Sequence, residues 1–247
     1  MAPIPRIPFH FHAEGHAFSG EIHEPFWYPI KAKASTSLPT IGGHASARHG
    51  KFSCHELVSF ECARTHVSGR KVGEVYLTHA TTTIEGLNIE GVLTADRIVC
   101  RISSKHAVGA PEPVILADGS KFENLRINGH KVDVRLRHNL LQECDTFEKL
   151  RNKVATETKS AKNTRVDNGA ALCTLVERIE SDLPQAPKDG GNVINLAGFG
   201  KITLAEVFAV YGSRTLTMLH LELGSPQTAN LTVAEDGTNG RPWPPPP

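Results

Sequence analysis

Thirteen histidines occur in the 247 residues, and nine of them precede residue 80. The densest group is Phe9-His10-Phe11-His12-Ala13-Glu14-Gly15-His16. Successive side chains of an extended chain point to opposite faces, so His10, His12, Glu14 and His16 share one side, and Phe9 and Phe11 anchor the other in a core. Imidazoles two residues apart then lie roughly 6–7 Å from each other, from a rise of ~3.3 Å per residue. Both can reach one metal ion at about 2.0–2.1 Å. The group is a candidate site for Zn²⁺, Fe²⁺ or Cu²⁺, with Glu14 as ligand or base and His23 completing the set from a neighbouring strand. With one coordination position open, such an ion activates water or oxygen. The competing reading is a histidine-rich strand face in water. Gly15 is the weak point, because a break there turns His16 away.

The His10-Phe11-His12 spacing resembles part of the His-x-His motif of cupins. That pattern expects a glycine before the first histidine; Pro8 and Phe9 stand there instead, and no membership follows. The remaining histidines are scattered, and read as surface or hydrogen-bonded residues that together make assembly pH-sensitive near pH 6–7. Cys54, Cys62, Cys100, Cys144 and Cys173 are odd in number and show no two-residue gap, so reduced, mostly buried thiols are expected. Gly198-Phe199-Gly200-Lys201 lacks the remainder of a phosphate loop: Asn195 and Ile202 occupy its glycine and hydroxyl positions. No Gly-x-Ser-x-Gly elbow is present. Glu85 and Glu123 sit at matching places in a weak internal echo, residues 83–91 against 121–129, and read as exposed strand residues or as a carboxylate pair.

The elements that must position these residues are strands. Asp118-Gly119, Asn128-Gly129, Asn168-Gly169, Asp189-Gly190, Asp236-Gly237 and Asn239-Gly240 read as turns between short alternating apolar runs. The clearest hairpin turns at Asn128-Gly129, placing Ile127 opposite His130, Leu125 opposite Val132 and Glu123 opposite Val134. A second runs from Lys201 to Leu223 around Tyr211-Gly212. Its apolar residues fall at both parities, which predicts a central hairpin covered on both faces. One helix is expected over about 145–158, capped by Asp145 with Phe147, Leu150 and Val154 on one face. Residues 171–179 are ambiguous: Leu172, Leu175, Val176 and Ile179 fit one face of a helix, but the run precedes the β-rich C-terminal third and is read as strand. The predicted fold is mainly β, an antiparallel sandwich or barrel-like sheet pair with that helical insertion. Residues 1–240 form one domain, with a minor boundary at 159–169. The proline-rich tail 241–247 is extended on the surface, and Trp243 suits docking on a neighbouring subunit.

Lys and Arg total 27 against 26 Asp and Glu, a formal charge of +1, so no bulk field attracts nucleic acid or anionic lipid, which leaves only local patches, and the basic residues are scattered among acidic ones. No apolar run reaches the ~20 residues of a membrane span, and the proline-rich start is not built as a signal peptide, so a cytoplasmic protein is expected. The leading expectation for function is a non-catalytic structural or binding protein that forms homo-oligomers through β-sheet surfaces. The alternatives are a metal-dependent enzyme built on His10, His12, His16 and Glu14, and a small-molecule binder, cyclase or isomerase with a pocket inside the sheets.

Overall fold

A computed structural model describes residues 9–157, 165–167, 169–187, 191–224 and 227–242. In chain order its elements are β1 (Phe9–Ile22), β2 (Tyr28–Lys33), β3 (Thr36–Ser37), β4 (Gly43–His49), β5 (Phe52–Cys54), β6 (Val58–Phe60), β7 (Cys62–Val72), β8 (Val75–Ile89), β9 (Leu93–Ala107), β10 (Val114–Leu116), β11 (Lys121–Glu123), β12 (Arg126–Ile127) and β13 (His130–Leu136). Then come α1 (Leu140–Glu143), α2 (Phe147–Glu157), β14 (Arg165–Asp167), β15 (Ala170–Thr174), β16 (Val176–Ser181), β17 (Val193–Leu196), β18 (Gly200–Val210), β19 (Ser213–Leu223) and β20 (Ala229–Pro242).

The fold is mainly β, as the alternation predicts. A nine-stranded sheet runs β14-β15-β18-β19-β20-β1-β2, with β17 on β18 and β3 on β1. An eleven-stranded sheet runs β16-β13-β12-β9-β8-β6-β5, with β10 and β11 on β9, and β7 joining β4 to β8. The ladders are antiparallel. The sheets pack face to face where β1 and β20 lie over β7, β8 and β9. Phe18, Ile84, Ile98, Ile102, Leu219 and Leu221 are fully withdrawn from water between and beside them. Burying each such side chain contributes roughly 1.5–3 kcal/mol.

The hairpin at Asn128-Gly129 forms as expected at its tip. Both turn residues have positive φ (50° and 80°), and Ile127 pairs with His130. Val132 N–H donates to the Leu125 carbonyl at 2.9 Å. The expected register stops there: Asn124, at φ 50°, turns the chain, so β11 pairs with β9 and Glu123 faces Arg97 rather than Val134. The echo is real in its turns, since Glu90-Gly91 also takes positive φ (52° and 67°). Glu85 and Glu123 flank the same Arg97 from opposite sides, which makes them surface charge partners.

Asp236-Gly237 and Asn239-Gly240 are not turns: β20 runs through both. Neither glycine takes positive φ, and Gly240 provides room instead. A Cβ at Gly240 would lie 2.5 Å from the Phe9 ring. Asn168 and Asp189-Gly190 lie outside the described residues, as do residues 158–164 and 243–247, including Trp243. The expected helix forms as α2, and the short α1 precedes it. Asp145 does not cap α2 but pairs with Lys149 at 2.8 Å. Thr146 Oγ1 accepts from Lys149 N–H, and the Glu112 carboxylate accepts from Phe147 N–H at 3.0 Å. Glu112 also accepts from Gly212 N–H, tying the helix start to the β18–β19 turn. All five cysteines are free thiols.

The β18–β19 hairpin has apolar residues at both parities for a reason the alternation rule does not anticipate. Its outer face is not covered; the alternation changes phase partway along. Leu204 and Ala205, Met218 and Leu219, Val233 and Ala234, and Ala17 and Phe18 are consecutive buried pairs on β18, β19, β20 and β1. Ala205, Met218, Ala234 and Ala17 fall in one transverse row where the ladders skip, and pairing resumes beyond it in unchanged register. Ala205 and Ala234 take φ of 46° and 52°. The left-handed region costs an L-residue roughly 1–2 kcal/mol. Gly86 at φ 67° marks a like skip on β8, opposite Asp96 of β9. Ala234→Val, β-branched at positive φ in a full core, should cost 2 kcal/mol or more (about, from strain plus overpacking), while Ala234→Gly should stay within about 1 kcal/mol of the parent. Urea unfolding of both variants checks this; equal losses would refute the phase change as the source of strain.

Candidate functional site

β1 is continuous through Gly15, so His10, His12, Glu14 and His16 do share its outward face, with Phe9 and Phe11 buried behind. Phe9 stacks on Tyr76 with centroids 3.9 Å apart, and Phe11 meets Tyr76 edge-on. Three of the four outward residues make separate pair contacts rather than one cluster. His12 Nε2 lies 3.9 Å from Glu14 Oε2, and His16 Nδ1 lies 4.0 Å from Glu235 Oε1. His23 sits past the far end of β1 from His10, His12 and His16, hydrogen-bonded to Asn230. Among the described residues no group of three or more His, Cys, Asp or Glu is arranged to hold a metal ion.

Register supplies partners that spacing could not. Glu206, Thr217, Glu235 and His16 stand opposite one another across β18, β19, β20 and β1. Thr217 Oγ1 donates to Glu235 Oε2 at 2.6 Å, fixing the carboxylate that faces His16. The phase change after Ala17 turns Ser19 to the same face as His16, and Ser19 Oγ and His16 Nε2 bond at 2.8 Å. Burial pushes the Glu206 carboxyl up, against the pull of His220 and Lys201. A cleft of about 350 Å³ opens here, lined by Glu14, His16, Glu235, Thr215 and the Ser35–Ser37 crossing. Its groups are donors and acceptors without an aromatic wall, so it offers hydrogen bonds and negative charge to a polar or cationic guest.

Directly beneath, the inward neighbours form a buried polar seam between the sheets. Asp236 is fully buried; its Oδ2 accepts from Thr82 N–H at 3.0 Å and its Oδ1 from Thr82 Oγ1 at 2.5 Å. Thr65 Oγ1 bonds Thr82 Oγ1 at 3.0 Å. Further along, Thr78 bonds Ser104 and Thr238, and His106 reaches the Gly240 and Ala110 carbonyls. Gly15 leaves the space for Asp236: a Cβ there would fall 2.1 Å from Oδ1. Burial pushes the Asp236 carboxyl up to about 7, against the Thr82 hydrogen bonds that favour its charge. Burial, with Asp236 beside it, raises the Cys100 thiol well above its ordinary value.

Fold and site together define an all-β protein of two packed antiparallel sheets with a histidine- and glutamate-lined cleft on one outer face. The chain belongs to the family described as Domain of unknown function (DUF8256), whose model matches residues 9–164. That match starts at β1 and takes in β2 to β13 and both helices. No curated protein and no solved structure matches the chain.

Asp236 carries a pH prediction. Its folded value, about 7, lies above its ordinary 3.8, so the fold favours the protonated form. The stability it contributes is complete below about pH 4 and is lost as pH rises through 7. Asp236→Asn keeps shape and hydrogen bonding without ionising. Between pH 4 and pH 8.5 the parent should lose up to about 4 kcal/mol of unfolding free energy relative to that variant. Urea titrations across this range test it, and a pH-independent difference would refute it.

Proposed function

We propose that the protein is a self-associating, non-catalytic binding protein, and that its association surface is the aromatic corner where β1 turns into β2. The observation that carries this reading is Phe26-Trp27-Tyr28. Phe26 and Trp27 leave 56% and 64% of their surface in water, and Tyr28 is exposed beside them. His55 meets both Phe26 and Tyr28 edge-on, which holds the rings together as a platform. Aromatic rings so gathered supply most of the energy of protein interfaces, at about 2 kcal/mol or more for each central ring. β2 is an end strand of its sheet. Pro29, Lys31 and Lys33 on it are the residue types that blunt a sheet edge, so the rings rather than a continued ladder make the contact.

A second reading is favoured by the cleft. His16 Nδ1 and Glu235 Oε1 stand 4.0 Å apart with Glu14 on the same wall, and side-chain movement would have to gather them around an ion at about 2.0–2.2 Å each, since they are not so arranged in the structure. Zn²⁺, Fe²⁺ or Cu²⁺ bound there would serve the metal-dependent chemistry that the histidine spacing suggests.

Sedimentation velocity of the full chain across concentration tests the first reading. Phe26→Ala with Trp27→Ala should weaken self-association by on the order of 100-fold or more. A parent that stays monomeric at hundreds of micromolar, on the order of cellular abundance limits, removes the reading. Zn²⁺ titration by calorimetry tests the second: near-stoichiometric uptake that His16→Ala abolishes supports it, and less than about a tenth of an equivalent bound ends it.

A further inference from the structure

At the end of the molecule opposite the aromatic corner, three loop tips expose aliphatic side chains. Ile41, between β3 and β4, is 90% exposed; Val72 in the β7–β8 turn and Val108 after β9 are each 51% exposed. The tips are neighbours. Val108 N–H donates to the Glu74 carbonyl at 2.9 Å, joining the second and third. Gly42 packs so closely on β7 that a Cβ would lie 2.9 Å from the Gly69 carbonyl, which places the first tip beside Arg70. β1 runs from this end, where Phe9 stacks on Tyr76, to the other, where Ile22 pairs with Tyr28.

Cations surround the tips and continue along the outer face of the eleven-stranded sheet. Arg48, Arg64, Arg70, Arg101 and Lys105 are exposed on β4, β7 and β9. Among the described residues none of them pairs with a carboxylate, whereas Lys71 pairs with Glu74 and Arg97 with Glu85. Dispersed through the sequence, these charges are gathered by the antiparallel registers of β4, β7, β8 and β9. Next to the tips a groove of about 530 Å³ is lined by His44, Ser68, Arg70, His79, Ser103 and Lys105, cations and hydroxyls suited to a phosphate.

We propose that this end docks on an anionic phospholipid surface. Ile41, Val72 and Val108 enter the boundary between headgroups and acyl chains, and Arg70 and Lys105 hold lipid phosphates. A soluble polyanion would satisfy the cations but leave the aliphatic tips in water; a charged bilayer surface takes both. The inference is independent of self-association at the opposite end.

Co-sedimentation of the full chain with phosphatidylcholine vesicles, with and without phosphatidylserine, tests it. Binding to phosphatidylcholine alone should be weak, and phosphatidylserine should strengthen it by about tenfold or more. Arg70→Glu with Lys105→Glu should weaken it by about tenfold or more, at several-fold for each cation near the surface. Ile41→Ser with Val72→Ser and Val108→Ser should weaken vesicle binding by a similar factor and leave retention on immobilised heparin unchanged. In the unaltered chain, salt should weaken the binding without abolishing it, because the aliphatic contact is not screened. Absence of binding to phosphatidylserine vesicles overturns the proposal. So does binding that the serine variant leaves intact or that salt removes entirely, either of which marks the face as a soluble-polyanion site.

Discussion

The Asp236 carboxyl lies at the meeting of the two sheets, and strands on both sides are shaped around it. A buried carboxyl is tolerated only when donors reach it or a proton neutralises it. Here Thr82 of the opposite sheet donates through both its backbone and its hydroxyl, and Thr65 extends the chain of hydroxyls. Gly15 gives up its side chain to make the space. Apolar contact is indifferent to small sliding of one sheet over another, but these bonds are directional. They fix where β1 and β20 sit over β7, β8 and β9, and with them the termini of both long strands.

What lies on the outer face depends on the same two strands. Glu235 and Asp236 are consecutive, as are Gly15 and His16, so the seam and the cleft are the two faces of one short stretch of paired backbone. Fixing Asp236 inward fixes Glu235 outward against His16. The phase change one to two residues further on then presents Ser19 beside His16 rather than hiding it. The cleft is therefore held by the core beneath it and not by loops.

Much of this was legible in the sequence. Period-two burial gave the β class, the tip of the hairpin at Asn128-Gly129, and the shared outward face of His10, His12, Glu14 and His16 with Phe9 and Phe11 behind. What spacing could not supply was cross-strand register. Glu235 and Thr217 meet His16 only because β20 lies between β1 and β19, a pairing that joins the first described strand to the last. The same limit hid the basic face, since Arg48, Arg64 and Arg101 become neighbours only through the ladders. Asn239-Gly240 misled for a different reason: glycine serves both positive φ and close packing, and local sequence does not distinguish them. Two apolar residues in a row at Leu204-Ala205 and Met218-Leu219 suggested burial on both faces, whereas the shared change of phase explains them.

The transverse row through Ala17, Met218, Ala205 and Ala234 also bears on how such a chain can change over generations. Each strand crosses the row with one residue, and the pairings on either side agree only because all four do so alike. Loss or gain of a single codon inside any one of these strands would put its two halves in conflict, one matched to its neighbours and the other slipped by one place with its oily side chains turned outward. A change of length inside one of these strands therefore needs a matching change in its neighbours, a constraint that the connecting turns do not carry.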